Sequence, residues 1–253
     1  MKIQKDFFVA VMCCLLFLIA LKVAPVFVDE PFSFPLKSVK IFTNALIVLS
    51  IFLIYKYFNF TGYLMEKWNR WNIFLNSFLI IISVYIVVNA NSSSSESIGY
   101  YLEYVASKMS VGVVEEVLFR GVIFIFIFKY FGLQKGIFYT ALIFSFFHSL
   151  NYFSGRISLN DVIIQMIYAF GTGAFFAAFY LRFKSLFTIA LLHGYLNLFL
   201  GGAEKGTDIS ESITIGSIIL FSIITGILIL ISKLLIYKRT NYSYNEFLSD
   251  FSE

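Results

Sequence analysis

Six polar side chains stand inside otherwise apolar runs of this 253-residue chain. Glu115, Glu116 and Arg120 share the stretch Val114-Glu-Glu-Val-Leu-Phe-Arg120-Gly121. His148 closes Phe144-Ser-Phe-Phe-His148, and His193 and Asn197 frame His193-Gly-Tyr-Leu-Asn197. His148 and His193 are the two histidines of the sequence. Carboxylate, imidazole and amide groups are the kinds that can activate water and donate toward a developing oxyanion.

Spacing gives these residues directions. Glu116 and Arg120 are four apart, share a helical face and can pair. Glu115 is rotated by about 100° from Glu116 on a helix of 3.6 residues per turn. The two carboxylates therefore point differently and can hold different jobs. His193 and Asn197 share a face, and Phe144, one turn before His148, can wall a site. Glu116 with Arg120 is equally well read as a plain structural ion pair. A single histidine in an apolar helix is commonly a hydrogen-bonded packing residue. Two histidines and a second carboxylate meeting at one depth are what favour a site.

The elements that must position them are apolar helices. The chain is 59% hydrophobic and 13% charged, with 32 Phe, against about 25% charged in ordinary soluble domains. Eight candidate membrane helices run over 7–28, 39–57, 72–90, 109–128, 136–150, 160–181, 185–200 and 213–236. The expected fold class is all-α, a polytopic membrane helix bundle. The fifth and seventh spans fall short of the roughly 20 residues a crossing needs, so tilt or an end within the protein is expected. Asn91–Ser97 reads as a Ser-rich loop, and 98–108 as an amphipathic segment at the interface. Cys13 and Cys14 lie inside the first run and read as packed or lipid-facing thiols rather than a disulfide or metal site. Lys22 falls where a signal-peptide cleavage site would sit, so 7–28 reads as a span. Ala169, Gly173 and Ala177 suggest close helix packing.

Three segments follow: 1–95 with N-terminal transmembrane helices, 96–212 with the motif-bearing helices, and 213–253 with the last span and a polar cytoplasmic tail. If the N-terminus is inside, 12 of the 19 Lys and Arg fall in inside segments and six in outside ones. That places both termini in the cytoplasm. The start of the fourth span, the end of the fifth and the later half of the seventh then approach one surface, the outer one. The net charge of +4 marks loop ends rather than a nucleic-acid surface, so no nucleic-acid partner is expected.

Glu-Glu-x-x-x-Arg, Phe-x-x-x-His and His-x-x-x-Asn, each on its own helix and in this order, resemble the CPBP family (CAAX proteases and bacteriocin-processing enzymes, also called Abi). The motifs occupy 115–197. The resemblance implies an eight-helix intramembrane endopeptidase, with Glu115 and His148 activating water, His193 and Asn197 stabilising the oxyanion, and Glu116 and Arg120 bracing the first motif. Members are often called metalloproteases. Glu115, His148 and His193 form the ligand set of some catalytic zinc sites, so zinc is a possible cofactor. No His-Glu-x-x-His stands here, and the resemblance also admits a metal-free, glutamate-dependent route. Asn197 suits an oxyanion donor better than a zinc ligand, which favours that route.

CAAX processing needs access from the cytoplasm, whereas the loop charges put the site nearer the outside. A composition rich in Phe, Ile, Lys and Asn also suggests an AT-rich bacterial genome, where prenylated substrates are not expected. The expected protein is a bacterial, multi-pass cell-membrane peptidase. Its partners would be the lipid bilayer and a peptide or small membrane-protein substrate, in peptide maturation, bacteriocin processing or immunity. A non-catalytic immunity or regulatory protein is the alternative, and a proton-relay transporter a third reading.

Overall fold

The computed structural model describes residues 36–57, 70–92, 97–153, 157–201, 215–239 and 241–249. Among these residues every regular element is helical. The order is α1 (Leu36–Tyr57), α2 (Arg70–Ser92), α3 (Ile98–Glu116), a π-helical segment (Val117–Phe124), α4 (Ile125–Phe131), α5 (Leu133–Phe147), the single turn α6 (Leu150–Phe153), α7 (Leu159–Phe183), α8 (Leu186–Gly201) and α9 (Ile215–Ile236). A 3-10 turn (Tyr237–Arg239) and α10 (Tyr244–Ser249) complete it.

Local chemistry sets the boundaries. Ser97 and Ser158 start α3 and α7 by accepting the N–H groups of Tyr100 and Asp161, as N-caps do. Gly132, at φ 81°, reverses the chain between α4 and α5, a conformation open to glycine without a Cβ clash. Lys184 ends α7 in the left-handed region. The Oγ of Ser185 then accepts the N–H of Thr188 at 3.1 Å and opens α8.

Two close approaches fix the centre of the bundle. A Cβ on Gly112 would lie 2.5 Å from the carbonyl oxygen of Ala190 and 2.6 Å from the nitrogen of Gly194. A Cβ on Gly194 would in turn meet the Cα of Met109 at 3.0 Å. Helices α3 and α8 therefore run antiparallel with their backbones in contact. Gly173 of α7 lies against Ala141 and Phe144 of α5 in the same way. Ala169 and Ala177 are fully buried beside it, so the small-residue spacing serves helix packing. Polar pins bind the outer helices: Asn44 to Ser110 at 2.8 Å, Asn72 to the carbonyl of Phe183 at 3.1 Å, and Thr225 to the carbonyl of Ile167 at 2.9 Å. Tyr195 of α8 bonds to Ser83 and to the Leu79 carbonyl of α2.

Among the described residues, two helices are long and apolar enough to cross a membrane, Leu159–Phe183 and Gly216–Arg239. Helices over Ile41–Leu53, Arg70–Tyr85 and Leu186–Leu198 are apolar but shorter. The outward faces of α1, α2 and α9 carry large aliphatic and aromatic side chains, among them Phe74, Ile81, Ile219, Leu230 and Leu234. Apolar surface on that scale marks contact with lipid or a partner.

Several expectations change. The first expected span, 7–28, with Cys13 and Cys14, lies outside the described residues, as do Lys2, Lys5, Lys22, Lys67, Arg156 and Lys205 of the charge count. The segment 98–108 is not a separate element. It continues through Glu116 and the π segment to Phe131 as one rod, because no breaker interrupts it. The helix expected over 136–150 ends at Phe147, so His148 caps it rather than lying inside it. The tail also docks on the bundle: Phe247 is fully buried, with its ring centroid 5.8 Å from Phe128 and 6.0 Å from Tyr180.

Candidate active site

Glu115 and Glu116 end α3, and the π segment follows immediately. Arg120 lies inside that segment, where the widened turn is of a kind frequent at functional sites. The contact of Gly112 with Gly194 brings the end of α3 against the middle of α8, one residue from His193. The close packing is what allows two short carboxylates to reach an imidazole on the neighbouring helix.

Arg120 is completely buried. Its Nη1 donates to Oε1 of Glu116 at 2.7 Å, and both side chains have no exposure. Its Nη2 donates to the carbonyl of Gly173 at 3.2 Å. The guanidinium lies 4.5 Å from the ring centre of Phe144 and 5.3 Å from that of Phe176. Rings at this range attract a cation, so the charge is held by a carboxylate, a carbonyl and two aromatic faces.

The same oxygen of Glu116 accepts a second hydrogen bond. Nδ1 of His193 donates to Oε1 of Glu116 at 2.7 Å. An ionised carboxylate only accepts, so the proton of this bond belongs to the ring nitrogen. The other face of the ring, Nε2, stands 3.6 Å from Oε2 of Glu115, beyond a hydrogen bond but within ion-pair range. The two carboxylates that helical rotation was expected to separate thus flank one imidazole from its two nitrogens. Phe144 and Phe176 wall the ring at centroid distances of 5.7 and 5.6 Å.

His148 reaches the cluster through Phe144. Its Nδ1 donates to the carbonyl of Phe144 at 2.8 Å, and its ring lies 4.7 Å from that of Phe144. This bond fixes Nδ1 as the donor and leaves Nε2 as the nitrogen for other partners. Asn197 lies one turn beyond His193 on α8. Its Nδ2 is buried without a hydrogen-bond partner, as are Oε2 of Glu116 and Nε of Arg120.

The six sequence candidates therefore fall into two groups. Glu115, Glu116, Arg120 and His193 form one charged network. His148 and Asn197 lie at its edges, one joined through Phe144 and the other through α8. Zinc was a possible cofactor for Glu115, His148 and His193. Among the described residues no group of three His, Cys, Asp or Glu side chains is arranged to hold a metal ion. His193 spends Nδ1 on Glu116 and His148 spends its own on the Phe144 carbonyl, so each ring keeps Nε2, the nitrogen with which a histidine held in this way would bind a metal.

Sequence reasoning missed Gly112, Gly194 and Phe176, and it singled out Gly173 for helix packing without the carbonyl that Arg120 uses. The glycines are visible beside the motifs as small residues in apolar runs, a pattern that lets helices touch. Phe176 carries no signal among so many phenylalanines.

An all-helical bundle with two buried carboxylates and an arginine gathered on one imidazole belongs to the class of helical proteins that hold an ionisable cluster among apolar helices. Residues 97–199, about two-fifths of the chain, match the family described as Type II CAAX prenyl endopeptidase Rce1-like. This is the CAAX-protease family that the three motifs resemble. It is a protease family, and with the two long apolar helices it supports a membrane protease. No curated protein and no solved structure matches the chain.

Proposed function

We propose that this protein is a multi-pass intramembrane endopeptidase of the bacterial cell membrane that hydrolyses a peptide bond in a membrane-associated peptide or small protein. Glu115, with His148, takes the proton of the attacking water. His193 and Asn197 donate toward the oxyanion, and Glu116 with Arg120 holds His193 in place. The observation that carries the reading is the position of Glu115. Its carboxylate is about 5% exposed, faces Nε2 of His193 at 3.6 Å and belongs to a protease-family segment.

The roles follow from elementary chemistry. A peptide carbonyl gains charge on oxygen as water adds, and fixed donors in a dry site stabilise it. The buried amide nitrogen of Asn197 is a donor of that kind. A buried carboxylate suits the base, because it need not be recruited from solvent. The reaction proceeds without a metal in this reading, since Asn197 suits an oxyanion donor better than a zinc ligand. The substrate role is peptide maturation, bacteriocin processing or immunity to such a peptide.

The test compares peptide termini in membranes and medium of cells carrying the native chain or Glu115→Ala at equal expression. A defined set of termini lost with Glu115→Ala supports the reading and names the substrate. Identical termini in both strains overturn it.

A further inference from the structure

We propose that Asn151 and Gln165, which lie outside the three motifs, form a latch that orients His148 for its part in catalysis. The inference rests on the endopeptidase reading, since it concerns a histidine of that site. It names Gln165 and Asn151 as positioning residues.

His148 occupies a weak place in the backbone. Helix α5 stops at Phe147, and the next hydrogen bonds are those of tight turns. His148 N–H donates to Ser145 O at 3.1 Å, Ser149 N–H to Phe146 O at 3.0 Å and Asn151 N–H to His148 O at 3.0 Å. Helix ends of this kind fray. A catalytic side chain, by contrast, has to be held to within a fraction of an ångström, because a 1 Å misplacement can cost about 100-fold in rate. Some other contact must therefore hold this end still.

Two contacts from α7 do so. Ser145, three residues before His148, donates its hydroxyl to the carbonyl of Met166 at 2.7 Å. Asn151, three residues after it, donates Nδ2 to Oε1 of Gln165 at 2.8 Å. The turn that carries His148 is thus pinned on both sides to two adjacent residues of α7. That helix is itself registered to α5 by Gly173 against Ala141 and to Arg120 through the Gly173 carbonyl.

Gln165 needs an explanation of its own. It lies in one of the two helices long and apolar enough to cross a membrane, where a polar amide is costly unless bonded. Ser145 uses the backbone and requires no special residue on α7. The Asn151 bond requires a side-chain acceptor at 165, which an aliphatic residue there would remove.

The chain's two histidines make a direct test possible. Full-length protein in detergent micelles is labelled with ¹⁵N-histidine, giving ring signals from two residues, and His148→Gln assigns them. Gln165→Leu and Asn151→Ala are compared with Gln165→Glu, which keeps an acceptor oxygen for Asn151. The latch predicts that Gln165→Leu and Asn151→Ala each shift and broaden the His148 signals and leave those of His193 in place, while Gln165→Glu restores His148. It further predicts a 10- to 100-fold fall in kcat, of the order expected for a misplaced catalytic group, with KM unchanged for the Glu115-dependent cleavage. The Asn151→Ala, Gln165→Leu double variant should be no worse than either single one, the mark of one shared interaction. Unchanged His148 signals in Gln165→Leu and Asn151→Ala would overturn the latch, whatever the cleavage rate. Should Gln165→Leu not fold, Asn151→Ala and Gln165→Glu decide the matter between them. Absence of any Glu115-dependent cleavage sinks the endopeptidase reading instead, and the ring signals still report on the latch.

Discussion

Nδ1 of His193 and Nη1 of Arg120 meet at one atom, Oε1 of Glu116, each at 2.7 Å. One carboxylate oxygen therefore holds the imidazole and neutralises the guanidinium together. Removing it leaves a fully buried arginine without its counter-charge, which costs about 3–5 kcal/mol. Glu116→Ala should accordingly lower the thermal midpoint in detergent sharply and abolish cleavage. Glu116→Gln keeps a carbonyl that accepts one of the two donors, so it should fold with a smaller loss and still cleave poorly. Equal stability of the native and Glu116→Ala proteins would refute the network.

The same network depends on a backbone contact beside it, Gly112 of α3 against Gly194 of α8. Gly112→Ala places a methyl 2.5 Å from the Ala190 carbonyl oxygen and 2.6 Å from the Gly194 nitrogen. Both are backbone atoms and cannot rotate aside. Helices α3 and α8 must separate, at a cost of about 1–3 kcal/mol as in overpacked cores. Because that shift moves Glu115 and Glu116 off His193, the predicted loss of cleavage is larger than the loss of stability. Activity and melting curves for Gly112→Ala, set beside Gly226→Ala, check this. A Cβ at Gly226 meets nothing within 4 Å, so that variant should behave as the native protein.

Much of the site was legible in the sequence, and the reason is the cost of polarity in apolar helices. Glu115, Glu116, Arg120, His148, His193 and Asn197 stand out because each needs a partner there. The Glu116–Arg120 pairing followed from a spacing of four. What spacing could not give was His193 between both carboxylates, since helical rotation alone separates Glu115 from Glu116. That arrangement depends on the Gly112 to Gly194 approach, a product of tertiary packing. Most helix boundaries were close, but the helix that bears Glu115 begins 11 residues before the expected 109, at Ile98, and α5 ends three residues before the expected 150, at Phe147. It is the turn at His148 that ends it. The tail read as polar because its apolar pair Phe247 and Leu248 stands among Ser243, Asn245, Glu246, Ser249 and Asp250.

Metal dependence gives a third prediction. The metal-free reading rests on Asn197 as the oxyanion donor, and among the described residues no group of three His, Cys, Asp or Glu side chains is arranged to hold a metal ion. Cleavage of the substrate identified through Glu115→Ala should persist in the presence of a strong chelator and gain nothing from added zinc. Loss of activity in chelator with recovery on zinc would show that the three side chains rearrange to bind metal, and would reverse the assigned roles.

The docked tail is the last case, and its chemistry fixes its pH dependence. Ser243 and Glu246 cap α10 reciprocally: the Ser243 N–H donates to Glu246 Oε2 at 2.6 Å, and the Glu246 N–H donates to Ser243 Oγ at 3.2 Å. The Ser243 N–H, and then its hydroxyl, hold the Glu246 carboxyl below the ordinary glutamate range. A depressed folded value means the cap contributes above the unfolded pKa and is lost as pH falls through the folded one. Phe247 then has to hold the helix against Phe128 and Tyr180 without its cap. Hydrogen exchange of residues 242–249 should therefore be slow at neutral pH and quicken in relative terms below the carboxylate range. Phe247→Ala should remove that protection at every pH, since emptying a fully buried phenylalanine site costs ~3 kcal/mol or more. Glu246→Gln should make exchange independent of pH across that window. If Glu246→Gln retains the acid-linked loosening, the cap is not its cause.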